Sequence, residues 1–102
     1  MDRSELLTLI GITKAQDDFG VWRTTETRRT IYCDVRSVTR DEFFDAGRAG
    51  LNPAYRFDVF GPDYAGESIC EYKGSRYAIY RTYAARNDTL ELYAERKGGT
   101  NG

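Results

Sequence analysis

The sequence predicts a mainly β protein, a small six-stranded antiparallel β-barrel or sandwich with one short α-helix inserted between strands 2 and 3. Six segments alternate between apolar and polar residues, the pattern of strands with one buried face. Eight Tyr and five Phe suit half-buried pleated surfaces. Gly-containing turns separate several of the segments. At 102 residues the chain is expected to be one domain over 1–97, followed by a flexible Gly-rich tail, 98–102.

The first two strands are predicted at 5–14 and 28–38. The first has one strongly apolar face, and its two sets of side chains are Leu6, Thr8, Ile10 and Ile12 against Leu7, Leu9 and Gly11. The inward positions of the second are Ile31, Cys33 and Val35. Between the strands, 15–26 breaks the alternation with two adjacent acids and a glycine. This break predicts a long, irregular hairpin tip.

The hairpin tip holds the candidate partner-contact residues. These are Asp17, Asp18, Phe19 and Trp22. Large aromatic side chains anchor many protein interfaces. Phe19 and Trp22 are therefore expected either to project as contact anchors or to fold back on the sheet, and the pattern leaves both alternatives open.

The clearest helix start of the chain follows the second strand. Thr39 is in the N-cap position, and Glu42 three residues later completes a capping box. The helix is predicted over 40–48, about three turns. Gly47 weakens it by about 1 kcal/mol relative to Ala, and Gly50 suits a left-handed stop.

Four further strands are predicted after the helix, at 54–60, 68–73, 76–84 and 89–96. The expected inward residues are Tyr55, Phe57 and Val59 in strand 54–60, and Leu90, Leu92 and Ala94 in strand 89–96. In strand 76–84, Tyr77, Ile79 and Tyr83 share the face assigned to the core with Arg81. The turns between them contain Gly-Pro-Asp, Gly-Ser and Arg-Asn-Asp.

The residue types argue against an enzyme. The chain has no His, the commonest general base, and contains no phosphate-loop motif. Three acid clusters occur, and they are Asp17 with Asp18, Asp41 with Glu42 and Asp45, and Asp58 with Asp63. Each is predicted on a turn or an exposed helix face, where carboxylates are solvated. We therefore expect no catalytic, cofactor-binding or metal site and no cofactor.

The two cysteines, Cys33 and Cys70, have neither CxxC spacing nor His partners, which argues against zinc. They are predicted to be buried free thiols, and a disulfide stays open if their strands pair. The N-terminal residues resemble neither a signal peptide nor a membrane span, so a cytosol-like compartment is expected.

Charge and aromatic placement bear on the partners. A net charge of −1 argues against a duplex-binding domain, while twelve Arg among fifteen cations favour contacts with other proteins. The alternative is a small-barrel module that binds single-stranded nucleic acid through stacked rings and Arg. Its candidate residues are Tyr77, Tyr80, Arg81, Tyr83 and Arg86. Two of these rings, Tyr77 and Tyr83, are assigned to the core, which leaves few for a stacking platform.

Three segments, in this order, resemble the head-closure proteins of tailed phages, also called head–tail joining, adaptor or stopper proteins. Residues 38–57, VTRDEFFDAGRAGLNPAYRF, are similar to the family's SVTRxEFFxAGxxGLxPxxxF stretch. Residues 72–83, YKGSRYAIYRTY, are similar to its Y-x-G-x-x-Y-x-I-x-R hairpin, and 88–96, DTLELYAER, to its closing strand.

The resemblance implies a structural head–tail joining barrel that assembles as a ring below the portal and its adaptor. The ring would close the DNA channel and provide the surface on which the tail docks. The implied partners are further copies of the chain, the portal or adaptor protein, and a tail-completion or tail terminator protein. DNA would pass through without specific binding, and no membrane is involved. The implied location is the virion, and the host bacterial cytoplasm during assembly.

The resemblance also implies a channel gate in the connection between strands 2 and 3. Its candidate residues here are Thr39, Asp41, Glu42, Phe43, Phe44, Asp45, Gly47, Gly50 and Pro53. Acids facing the channel would repel phosphates and let DNA slide. We therefore expect Asp41, Glu42 and Asp45 to face the lumen, with Phe43 or Phe44 at subunit contacts or packed on the barrel.

Overall fold

The chain folds into a closed barrel of six antiparallel strands, seen in a computed structural model that describes residues 4–96. The strands are β1 (Glu5–Gln16), β2 (Trp22–Arg36), β3 (Pro53–Phe60), β4 (Ile69–Tyr72), β5 (Ser75–Ala84) and β6 (Thr89–Arg96). One helix, α1 (Arg40–Arg48), lies between β2 and β3. The predicted fold class is confirmed, whereas the predicted tail, 98–102, lies outside the described residues.

The barrel closes because its first and fourth strands pair. The strand order is β1-β2-β3-β6-β5-β4, and β4 returns to β1 over Thr8–Ile10. Closure pairs strand edges that an open sheet would expose. It also surrounds the core with inward side chains from every strand, and these are Leu7, Leu9, Ile31, Cys33, Phe57, Val59, Cys70, Tyr72, Tyr77, Leu92 and Ala94.

Four aromatic rings fill the centre of the barrel. They belong to Tyr55, Phe57, Tyr72 and Tyr77, and their centroids lie 5.3 to 6.5 Å apart. Most of these pairs are edge-to-face, the geometry that aromatic quadrupoles favour. Both thiols belong to this core, so Cys33 and Cys70 are buried and free, as predicted. Burial raises the pKa of each thiol to about 12, which keeps both protonated and unreactive.

The hairpin of β1 and β2 is longer than predicted. Its register runs without a break from Glu5 opposite Cys33 to Gln16 opposite Trp22, so the irregular tip is only 17–21. The prediction of an unpaired stretch over 15–26 is therefore wrong at both ends. The β-branched Thr24 and Thr25 continue the ladder although the apolar alternation has stopped.

The outer part of this hairpin, residues 11–27, extends past the last pair between β1 and β4, and we call it the ribbon. Two ion pairs hold the ribbon and its base against the barrel wall. The guanidinium of Arg76 donates to both carboxylate oxygens of Glu26, at 3.2 and 3.1 Å. Arg28 likewise donates to Glu71 on β4.

An irregularity in β5 reverses the direction of its later side chains. The pairing with β6 shifts between Ile79 and Arg81, where one extra residue enters β5. Tyr77 and Ile79 face the core as predicted, but Tyr83 turns outward and is 56% exposed. Its assignment to the core face is wrong, because strict alternation fails across a bulge.

Candidate functional site: the helical insert and the hairpin tip

The connection between β2 and β3 forms an insert, residues 39–53, whose two helix ends are closed by the chain itself. The hydroxyl of Thr39 accepts a hydrogen bond from the amide of Glu42 at 3.2 Å, so the predicted N-cap is confirmed. At the other end Gly50 has φ +83°, a left-handed conformation that only Gly adopts without strain. The amides of Gly50 and Leu51 donate back to Gly47 and Ala46, the pattern of a Schellman motif.

The carboxylate of Glu42 turns away from the N-cap and attaches the insert to the barrel. Tyr80 donates to one carboxylate oxygen at 2.7 Å, and Arg81 donates to the other. The predicted capping box is therefore wrong in its second half, since a stronger pair of donors from β5 takes the Glu42 side chain. Burial alone would raise the pKa of Glu42, but the bonds from Arg81 and Tyr80 outweigh it and hold the pKa below its ordinary value. We call this contact the latch.

The three acids of α1 do not share one environment. Glu42 has a side chain only 15% exposed, because of the latch, whereas Asp41 and Asp45 are exposed. The expectation that all three are solvated on one helix face is wrong for Glu42. Asp45 pairs with Arg48 on the same helix, and the surface acids of the insert are therefore Asp41 and Asp45.

Two adjacent phenylalanines give the insert an exposed apolar surface. Phe43 and Phe44 meet edge to face at 5.9 Å, and both side chains are about half exposed. The helix is anchored instead by Ala46, its buried side chain, next to Leu51. Pro53 is buried where β3 begins, so the exposed part of the insert ends before it.

The latch continues into a belt of paired charges on the outer wall of the barrel. The guanidinium of Arg81 stacks on the ring of Tyr93 at 4.0 Å. The hydroxyl of Tyr93 donates to Glu91 at 2.7 Å, and Glu91 lies 3.9 Å from Arg56. We call the connected side chains the polar belt, and they are Glu42, Tyr80, Arg81, Tyr93, Glu91, Arg56, Asp58, Arg36 and Asp34.

The centre of the polar belt is a buried carboxylate, and its predicted position on a solvated turn is wrong. Asp58 is 1% exposed, and Arg56 donates to its two oxygens at 2.8 Å each. Arg36 approaches the same group at 3.4 Å. Two guanidinium groups therefore replace the lost hydration of Asp58, and the pKa of Arg56 is raised chiefly by its hydrogen bonds to Asp58. The i, i+2 spacing of Arg56 and Asp58 on one strand face was the available signal.

The hairpin tip is held by one of its two acids and presents its apolar side chains to solvent. Asp17 accepts hydrogen bonds from the amides of Phe19 at 2.8 Å and Val21 at 3.0 Å, and from Arg23 at 2.9 Å. The backbone amides, that of Val21 first, lower the pKa of Asp17. Phe19 is 89% exposed and Trp22 66% exposed, so they project from the sheet. Asp18 is exposed beside them.

No cluster of three metal-ligating side chains occurs among residues 4–96. Within the same residues, no helix is long and apolar enough to cross a lipid bilayer. No protein-family model matches the chain, and no curated protein matches it.

Proposed function

We propose that this chain is a structural subunit of a phage head–tail connector. It acts as one copy in a ring below the portal and its adaptor, closes the DNA channel, and provides the docking surface for the tail. The observation that carries this proposal is the position of the insert. Residues 39–53 lie within the stretch 38–57 that resembles head-closure proteins, and they form a helical excursion from the closed barrel.

The insert has the properties that a channel gate needs. A gate must move without unfolding the subunit, and α1 is joined to the barrel mainly through the latch and through Ala46. Release of Glu42 would free the helix while the barrel core stays intact. Asp41 and Asp45 would face the channel and repel DNA phosphates. The exposed Phe43 and Phe44 would pack against neighbouring copies.

The tip has the properties of a contact with another connector or tail protein. Phe19, Val21 and Trp22 are exposed at the end of a ribbon that is braced on the barrel by Glu26 and Arg76. Exposed aromatic side chains on a braced support lose little entropy on binding and form effective anchors.

Deleting the gene from the phage genome that encodes it tests the proposal. We expect DNA-filled heads that lack tails and lose their genome, and we expect the purified chain to restore tail joining in an extract. The double variant Phe43→Ser with Phe44→Ser should abolish this restoration of tail joining. Its matched control is Tyr83→Ser, which removes an exposed aromatic side chain of the barrel wall and should leave tail joining intact. Tailed, infectious particles from the deletion would refute the proposal.

One observation favours the alternative function, a module that binds single-stranded nucleic acid. Tyr83 faces outward and adds a ring to the face that carries Tyr80 and Arg81. Arg81 is already paired with Glu42 and stacked on Tyr93, and Glu91 lies opposite Tyr83, so this face offers little free positive charge. Titration with a single-stranded oligonucleotide at low salt separates the two functions, because salt-sensitive micromolar binding would favour the alternative.

A further inference from the structure

One side of β2 has a long open edge. On that side β2 pairs with β3 only over Cys33–Arg36, and no strand among residues 4–96 pairs with Arg23–Ile31. The other side of the same residues is paired continuously with β1. Natural sheets protect such edges with Pro, a bulge or charged side chains. Here the segment has no Pro and no bulge, and Glu26, Arg28 and Arg29 are already in ion pairs within the chain.

We propose that this edge binds a second copy of the same chain, antiparallel, about a two-fold axis at Thr27. Backbone groups of an open edge are satisfied most completely by another strand, and this edge is complementary to itself. The proposal concerns the free protein and does not rest on a role in a connector.

The pairing register follows from the charges. With Thr27 opposite itself, Glu26 lies opposite Arg28 of the second copy, and the two-fold axis repeats this pair. A shift by two residues in either direction places Glu26 opposite Glu26 or Arg28 opposite Arg28, where like charges repel. A shift by one residue places outward side chains opposite inward ones. Among the registers within two residues of it, only the Thr27 register avoids both problems.

The ion pairs within the chain prepare the edge for this contact. Arg76 holds Glu26, and Glu71 holds Arg28, so both side chains already lie on the outer face of the hairpin. Pairing with a second copy then orders few additional rotamers. Thr24 opposite Thr30 continues the ladder with β-branched residues. Trp22 and Tyr32, both exposed, lie at its two ends.

Two variants that differ only at residue 30 test the charge pattern. Thr24→Glu with Thr30→Glu places like charges opposite each other twice, whereas Thr24→Glu with Thr30→Lys places opposite charges there. We expect the wild type to sediment as a dimer over a concentration series. The first variant should dimerise at least about tenfold more weakly, and the second should match the wild type. Far-ultraviolet circular dichroism establishes that both are folded.

Oxidative cross-linking tests the register independently of stability. Thr27→Cys should form a disulfide between copies, because residues directly opposite in an antiparallel pair have Cα atoms within about 5.5 Å. Thr25→Cys is the matched control, since its copies would lie about 14 Å apart. The native thiols are buried and do not compete. A monomer at every concentration, a larger ring, equal dimerisation of the two charge variants, or cross-linking through residue 25 instead of residue 27 would each overturn the proposal.

Discussion

The carboxylate of Glu42, on α1, accepts a hydrogen bond of 2.7 Å from the hydroxyl of Tyr80, on β5. Tyr80 occupies the bulge at which β5 changes the direction of its side chains. The residue that interrupts the strand therefore also anchors the insert, and Arg81, the next residue, completes the latch. Bulges often redirect a side chain to a functional position, and here the bulge couples the barrel wall to the proposed gate.

Removing the Tyr80 hydroxyl should loosen the insert more than it destabilises the barrel. We expect Tyr80→Phe to lower the free energy of unfolding by about 1 kcal/mol, the contribution of one such hydrogen bond. The rate of amide exchange should increase much more in α1 than in β3 and β6. Tyr83→Phe, a change on the exposed outer wall, is the control and should leave α1 exchange unaltered. Equal exchange of α1 in both variants would contradict a role for the latch.

The latch should also weaken in acid. The folded pKa of Glu42 lies below its ordinary value of 4.5, because Arg81 and Tyr80 outweigh the effect of burial. The ionised Glu42 carboxylate therefore stabilises the folded chain fully at pH values above the ordinary pKa. It loses this contribution as the pH falls through the folded pKa. Protection factors of α1 amides, measured from about pH 5 downwards, should fall over this range. Glu42→Gln should remove that part of the pH dependence, and its persistence in the variant would assign it to another group.

The two glycines of the insert allow a test of backbone conformation alone. Nothing lies within 4 Å of a Cβ placed on either Gly47 or Gly50, but only Gly50 has a positive φ, of +83°. Gly50→Ala should destabilise the protein by about 1 kcal/mol. Gly47→Ala should stabilise it by roughly 0.5–1 kcal/mol, because Ala is the better helix former. The unfolding temperatures of the two variants give the sign of each change in stability. Shifts of both temperatures in the same direction would refute this account of the helix end.

The buried carboxylate of the polar belt should matter more than an exposed one. We expect Asp58→Asn to lower the free energy of unfolding by about 2 kcal/mol. The neutral amide cannot replace the negative charge with which Arg56 and Arg36 pair. Asp45→Asn breaks the exposed pair with Arg48 and should change it by less than about 0.5 kcal/mol. Urea denaturation compares the two, and similar midpoints would mean that Asp58 contributes no more than a surface charge.

The projecting aromatics of the tip should serve binding and not folding. Phe19→Ser and Trp22→Ser should leave the unfolding temperature nearly unchanged, since both side chains are largely exposed. In the tail-joining extract, each should weaken activity at least about tenfold if the residue is an interface anchor. Lys14→Ser, on the same ribbon, is the polar control. Full activity of both aromatic variants would remove the tip from the proposed interface.

Patterns within a few residues predicted much of this protein correctly. The N-cap at Thr39 and the left-handed stop at Gly50 depend on contacts that span three to five residues, and both were predicted. Strand alternation likewise identified the inward side chains of β2 and β3. Such features depend on local backbone geometry, which the neighbouring residues largely determine.

By itself, then, the amino-acid sequence determined six antiparallel strands in a barrel or a sandwich, the helical insert between the second and third strands, and the burial of Cys33 and Cys70. Only the tertiary structure decided that Glu42 attaches the insert to Tyr80, that Asp58 is buried, and where the ribbon ends. The reason is physical: these features depend on which strands become neighbours and in what register. One extra residue at a bulge reverses every side chain after it. Two donors more than thirty residues away, Tyr80 and Arg81, take the place of the N-cap partner that the local spacing of Glu42 suggests.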